Sequence, residues 1–136
     1  MKPTALKRTA TRGAAVSNGA CNGIDWTPVS TELDAQGCAV VGPLLAPAVC
    51  RVLAALYASD KLFRSRIVMA RHGFGRGEYK YFAYPLPSEV SALRTALYPP
   101  LASIANRWNE QMGLEVRYPP EHGAFLRRCH AAGQTK

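Results

Sequence analysis

The chain has 136 residues, 48% of them hydrophobic, and 17 basic side chains against 9 acidic ones, for a formal charge of +8. That length fits one domain; no apolar run nears the ~20 residues of a membrane span, and the N-terminus lacks the apolar h-region of a secretory signal. Cys21, Cys38, Cys50 and Cys129 show no C-x-x-C spacing, so they read as buried free thiols of a reducing, cytoplasmic compartment rather than as a disulfide or zinc framework.

Residues 1–24 carry four basic side chains, no acid and few large apolar groups. Such a stretch cannot bury enough surface to offset its chain entropy, so a disordered basic tail is expected, with order beginning near Trp26. Ser30–Leu33 suggests a short helix or turn. Cys38–Val41, bounded by Gly37 and Gly42, suggests a buried strand. From Pro43 to Ser59 the apolar residues Leu45, Val49, Leu53, Leu56 and Tyr57 recur at three and four positions. That is an amphipathic helix, with Pro47 in its first turn.

Phe63–Pro87 is the most unusual stretch: FRSRIVMARHGFGRGEYKYFAYPLP. It holds Arg64, Arg66, Arg71, Arg76 and Lys80 against Glu78 alone, and six of the ten Tyr and Phe residues. Strand periodicity predicts a β-hairpin of 64–71 and 78–84. Ile67 and Met69 fall on one face of the first strand, with Arg64, Arg66 and Val68 on the other. On the second strand Tyr79 and Tyr81 share a face, opposite Lys80, Phe82 and Tyr84. The glycines of His72–Gly77 permit the positive φ that a tight or bulged connection needs.

Helical periodicity returns at Ser88, a candidate N-cap. Val90, Leu93, Leu97, Leu101, Ile104, Trp108 and Met112 form one stripe. Pro99-Pro100 removes two donors and predicts a break into helices 88–98 and 100–112, ended by Gly113. Pro119-Pro120-Glu121 opens a last helix to about Ala132, its apolar face being Ala124, Phe125 and Cys129. The fold class is therefore α+β, with amphipathic helices packed on a small antiparallel hairpin.

Chemistry-bearing motifs are few. The histidines His72, His122 and His130 form no H-x-D, H-x-E or HExxH. His122 and His130, eight residues apart on one helix, lie roughly 12 Å apart along its axis and cannot chelate one ion. HGFGRG matches neither phosphate-loop pattern, and a strand follows it rather than a helix. Cys129 and His130 are sequence neighbours and diverge on a helix. The basic, aromatic hairpin has the best claim to function, because guanidinium groups bind carboxylate or phosphate and tyrosine faces stack on bases or proline rings.

FRSRIVMARHGFGRGEYKYFAYPLP, LRTALYPPLASIANRWNEQMGLEVRYPPEH and FLRRCHAAGQT together resemble the N-terminal half of bacterial 2-oxoglutarate- and Fe(II)-dependent oxygenases of the prolyl-hydroxylase-like family. The likeness runs from about Trp26 to the last residue and is dense between Leu56 and Gly113. It implies a double-stranded β-helix core with an H-x-D…H iron triad and a cation for the 2-oxoglutarate carboxylate. By the same resemblance, residues 25–136 are the helical and strand support of that core, and the enzyme is a hydroxylase, one candidate substrate being a protein side chain. The chain reaches Gln134-Thr135-Lys136 without the H-x-D motif. The expectation is thus a fragment that binds neither Fe(II) nor 2-oxoglutarate by itself, whose partner is the β-helix core. No catalytic and no metal residue is carried over. Arg71, His72, Arg76, Tyr79 and Tyr81 are placed near a substrate entrance, and the basic charge then needs no nucleic acid. The alternative reading is a small non-catalytic module for nucleic acid or an acidic protein.

Overall fold

The computed structural model describes residue 21 and residues 23–135. The predicted basic tail falls almost wholly outside these residues. Among the described residues the chain forms four α-helices and a two-stranded antiparallel sheet, the expected α+β class: α1 Trp26–Gln36, α2 Pro47–Ala55, β1 Phe63–Val68, β2 Glu78–Phe82, α3 Ser88–Gln111 and α4 His122–Ala131. Short 3-10 turns at Leu56–Ala58, Asp60–Leu62 and Met69–His72 join α2 to β1 and bend the hairpin. No helix among the described residues is long and apolar enough to cross a membrane.

α1 is longer than the short helix or turn expected at Ser30–Leu33. Asp25 starts it by accepting the Thr27 backbone N–H at 3.0 Å, and Gly37 stops it by donating its N–H to the Leu33 carbonyl. The strand expected at Cys38–Val41 is absent: this stretch is irregular, Cys38 is exposed and Val40 is 92% exposed. A short apolar run makes a strand only where another strand offers its backbone, and among the described residues none lies beside this one. α2 begins at Pro47, which lies in its first turn as expected, at the position where its missing N–H costs nothing. Cys50 lies exposed on α2, whereas Cys21 is buried and Cys129 half-buried, so the expectation of buried thiols holds for only part of the set.

α3 overrides the expected break, running unbroken through Pro99 and Pro100. Both prolines accept helical φ, so the helix forgoes two hydrogen bonds and still continues through them. Neighbours on both sides of the prolines hold it. Ser88 does not cap α3; its hydroxyl donates to Glu89 Oε2 at 2.9 Å, and Pro87 occupies the cap position. Gly113 ends the helix as expected. At φ +70° it lets its own N–H reach Glu110 O at 3.0 Å and the Leu114 N–H reach Asn109 O at 2.8 Å. The same double closure, through Gly133 and Gln134, ends α4.

Two bodies of contact result. In the first, the segment after α3 returns along it as an extended strap. Asn109 Nδ2 donates to Val116 O at 2.8 Å, Asn106 Nδ2 to Tyr118 O at 2.9 Å, and Tyr98 Oη to Pro119 O at 2.9 Å. The Tyr118 N–H donates back to Asn106 Oδ1 at 2.6 Å. The strap delivers α4 onto α3, where Phe125 stacks on Tyr98 at 5.3 Å and meets the Tyr118 ring edge-on at 5.9 Å. α1 docks farther along α3, through Asp34 to Arg107 and Trp108. α4 thus meets α3 through Tyr98, and α1 meets it through Arg107 and Trp108; of these only Trp108 belongs to the predicted stripe. In the second body, α2 and its 3-10 extension pack Tyr57 against Phe63 of β1, at 5.8 Å between ring centroids.

The core is thin. Among the described residues only Cys21, Ala102 and Ile104 are buried, and no side chain is completely enclosed. Leu101 and Met112 of the α3 stripe, Val52 of α2 and Leu114 and Val116 of the strap stay exposed.

Candidate functional site

The hairpin is built on the register Phe63↔Phe82, Ser65↔Tyr81, Arg66↔Lys80, Ile67↔Tyr79 and Val68↔Glu78, with a slip between Phe63 and Ser65. The connection uses Gly73, Gly75 and Gly77 at φ +71°, +90° and +116°, the conformational freedom expected of that glycine knot. β1 stops at Val68, before the predicted Arg71, because Met69–His72 coils into a 3-10 turn.

The two faces of the hairpin differ in kind. On the inner face Phe63 and Phe82 stack at 4.7 Å. Lys80 sits beside them, its side chain only 7% exposed, with Nζ 4.3 Å from the Tyr57 ring centroid and 5.2 Å from that of Phe63. Its ammonium donates to Tyr57 O at 2.9 Å and Asp60 Oδ1 at 2.7 Å. Glu78 accepts the Tyr57 hydroxyl at 2.8 Å through Oε1, and both Arg66 Nε, at 2.8 Å, and Arg66 Nη2 through Oε2. Arg66 and then Tyr57 hold the Glu78 carboxyl below its ordinary range, and Lys80 does the same for Asp60. Desolvation first, and the Glu78 contact second, raise the Tyr57 phenol. Arg66 and Lys80, counted above with the basic stretch, are thus consumed in pairs. Arg66 pairs with Glu78 of the neighbouring strand, whereas Tyr57 and Asp60, which hold Lys80, come from before the hairpin, and no local pattern marks them.

The outer face carries Tyr79 and Tyr81, 43% and 46% exposed, their rings edge-to-face at 5.5 Å. Tyr81, and after it desolvation, hold the Tyr79 phenol above its ordinary range. Strand alternation predicted this pairing of the tyrosines. It did not predict that Arg64 would join them. Arg64 lies at the slip in register, and its guanidinium stands 5.1 Å from the Tyr81 ring centroid instead of sharing a face with Arg66. Arg71 and His72 lie in the 3-10 turn and Arg76 in the glycine connection, all exposed. His72 stacks loosely on the exposed Phe74 at 6.4 Å. The five candidate residues therefore form two groups, Tyr79 with Tyr81 on the strand and Arg71, His72 and Arg76 at the tip.

A metal centre finds no donors here. Among the described residues no group of three or more His, Cys, Asp or Glu side chains could hold an ion. His122 packs on the Tyr98 ring at 5.3 Å, and desolvation, with Arg94 nearby, holds its imidazole below the ordinary range. An apolar groove of about 410 Å³ runs between α2 and the β2–α3 connection, lined by Val52, Leu56, Leu62, Tyr84, Pro85 and Leu86 among others.

Residues 77–136 match the model of a family described as "Oxygenase, catalysing oxidative methylation of damaged DNA". That range begins at the last glycine of the hairpin and takes in β2, α3, the strap and α4. Two relatives from Mycobacterium tuberculosis, uncharacterized protein MT2286 of strain CDC 1551 / Oshkosh and uncharacterized protein Rv2227 of strain H37Rv, are each 42% identical over 55 residues. The match covers 40% of this chain and spans 24% of the length of each relative. No solved structure matches. Over its C-terminal part the chain is thus similar to a family of oxygenases.

Proposed function

We propose that the chain is the helical and hairpin support of an oxygenase of the Fe(II)- and 2-oxoglutarate-dependent type, with Arg71, His72, Arg76, Tyr79 and Tyr81 on the side from which substrate approaches. The observation that carries this reading is the match of residues 77–136 to the oxygenase family model. The resemblance of the hairpin and α3 to 2-oxoglutarate oxygenases supports the finer assignment. The family description speaks of damaged DNA, which makes a nucleic acid a stronger substrate candidate than a protein side chain.

An iron site of the facial-triad type needs two histidines and a carboxylate converging on one ion. The described residues do not fit that requirement. His72 lies in the hairpin turn, His122 against Tyr98, and His130 exposed two turns farther along α4. No step through iron or 2-oxoglutarate is therefore assigned to these residues. Their part in the reaction is to brace a neighbouring core and to present a binding face.

The test uses the purified chain with Fe(II) and 2-oxoglutarate, alone and mixed with an iron-loaded oxygenase of the matched family from which the segment corresponding to residues 77–136 has been deleted. Alone, the chain is expected to bind no stoichiometric iron and to decarboxylate no 2-oxoglutarate. In the mixture it is expected to restore decarboxylation. Turnover by the chain alone would contradict the assignment of the metal centre to other residues. A folded chain that neither binds nor restores the deleted enzyme would overturn the support role.

A further inference from the structure

From the two faces of the hairpin we infer that its outer face is a binding site for single-stranded nucleic acid, with Tyr79 and Tyr81 as the stacking platform and Arg64, Arg71 and Arg76 as phosphate contacts. This deepens the oxygenase reading by naming a site and a strandedness. It needs no iron centre, so it can fail while that reading stands.

Charge carries the first part. Glu78 is the one acidic residue between Phe63 and Pro87, and Arg66 and Tyr57 hold it on the inner face. Lys80 is neutralised by Asp60 on that face too. Arg64, Arg71 and Arg76 have no carboxylate partner among the described residues. The outer face and tip are therefore cationic with no compensating acid, a field that gathers polyanions.

Aromatic geometry carries the second part. Tyr79 and Tyr81, two residues apart on one strand, both leave ring surface open to solvent, although tyrosine usually buries much of its ring in a folded chain. Arg64 beside Tyr81 adds a flat cation to the same surface. Phe74, 72% exposed, adds an open ring at the tip, in the same glycine connection as Arg76. Aromatic rings interleaved with arginines match the bases and phosphates of an unpaired strand, whereas a duplex hides its base faces. An acidic peptide would use the arginines and leave the tyrosines idle, and that difference separates the two classes of partner.

The experiment is fluorescence anisotropy of a labelled 20-mer of thymidine against the full chain, over a salt series. Binding at low salt is expected, falling steeply as salt rises, and a duplex of the same length should bind more weakly. Tyr79→Ala and Tyr81→Ala should each weaken binding about 5-fold or more. Tyr79→Phe with Tyr81→Phe should keep it, which also guards against misfolding as the cause of loss. Arg71→Ala and Arg76→Ala should each lower the log–log salt slope by about 0.7. Unchanged affinity in the Tyr79→Ala/Tyr81→Ala double variant would overturn the inference, as would no binding at low salt. Equal or tighter capture of a polyglutamate probe, insensitive to the tyrosines, would assign the face to an acidic protein and overturn it too.

Discussion

Asp34 and Arg107 lie 73 residues apart and close α1 onto α3: Arg107 Nη2 donates to both carboxylate oxygens of Asp34, at 2.7 and 2.8 Å. The indole N–H of Trp108 donates to the same carboxylate at 2.5 Å, and Arg107 also reaches Ser30 Oγ at 2.9 Å. One carboxylate thus gathers two donors from successive residues of a helix whose stripe buries little else at that end.

The pair gives stability an acid limb. Trp108 and then Arg107 hold the Asp34 carboxyl below its ordinary 3.8, Arg66 holds Glu78 below 4.5, and Lys80 holds Asp60 below 3.8. A depressed carboxylate contributes stability that is full above its unfolded value and is lost as pH falls through its folded value. His122 adds an earlier step. Its imidazole, held below 6.5 by desolvation, stays neutral in the fold while the unfolded chain takes up a proton, so stability already declines as pH drops below 6.5. Urea denaturation from pH 7.5 to 3 should show both declines. His122→Phe should remove the first, and Asp34→Asn should shrink the second while lowering stability at neutral pH. A wild-type profile level between pH 7 and pH 5 would refute the His122 step, and an unchanged acid limb in Asp34→Asn would refute the role of that pair.

Asn106 acts toward Tyr118 as a neighbouring strand would, donating to its carbonyl and accepting its N–H. Asn106→Ala leaves both backbone groups without that partner in a half-buried setting, and about 1–3 kcal/mol of stability should go. Asn106→Asp keeps the acceptor but sets a carboxylate against the Tyr118 carbonyl, so it should also destabilise. Because the strap carries α4, amide exchange should speed up across α4 but not across the hairpin. Equal protection of α4 in wild type and Asn106→Ala would show that Phe125 and Tyr98 suffice to hold it.

Pro99 is exposed in mid-helix, whereas the half-buried Pro100 faces α1 beside Ile104 and Arg107. Pro99→Ala restores one backbone donor without disturbing that contact and should stabilise the chain by about 1–3 kcal/mol. Pro100→Ala should gain less, since it also removes packing against α1. Urea midpoints of the two variants decide this, and a loss of stability in Pro99→Ala would mean that the proline pair shapes the helix for its neighbours.

The legible parts were those written in local periodicity and punctuation. The three-and-four spacing through Leu53 and Leu56 pointed to α2, the alternation at Tyr79–Phe82 to β2 and the shared face of its tyrosines, and Gly113 and Gly133 marked two helix ends. Illegible parts depended on distant partners. Cys38–Val41 has strand composition but no neighbouring strand among the described residues. α1 has a weak apolar period and is held through Asp34 and Arg107. Arg64 left its predicted face because a slip in register, invisible in a single strand, set it against Tyr81.

By itself, then, the sequence determined the α+β class, the hairpin with its cationic and aromatic character, and the lack of an H-x-D pair, because each follows from neighbours within a turn or two of chain. Tertiary structure alone decided which charges remain available. Arg66 and Lys80 look the same in sequence as Arg64, Arg71 and Arg76. They differ only because Tyr57, Asp60 and Glu78 meet them on the inner face, and Coulomb attraction and desolvation act on distance in space, not on separation along the chain.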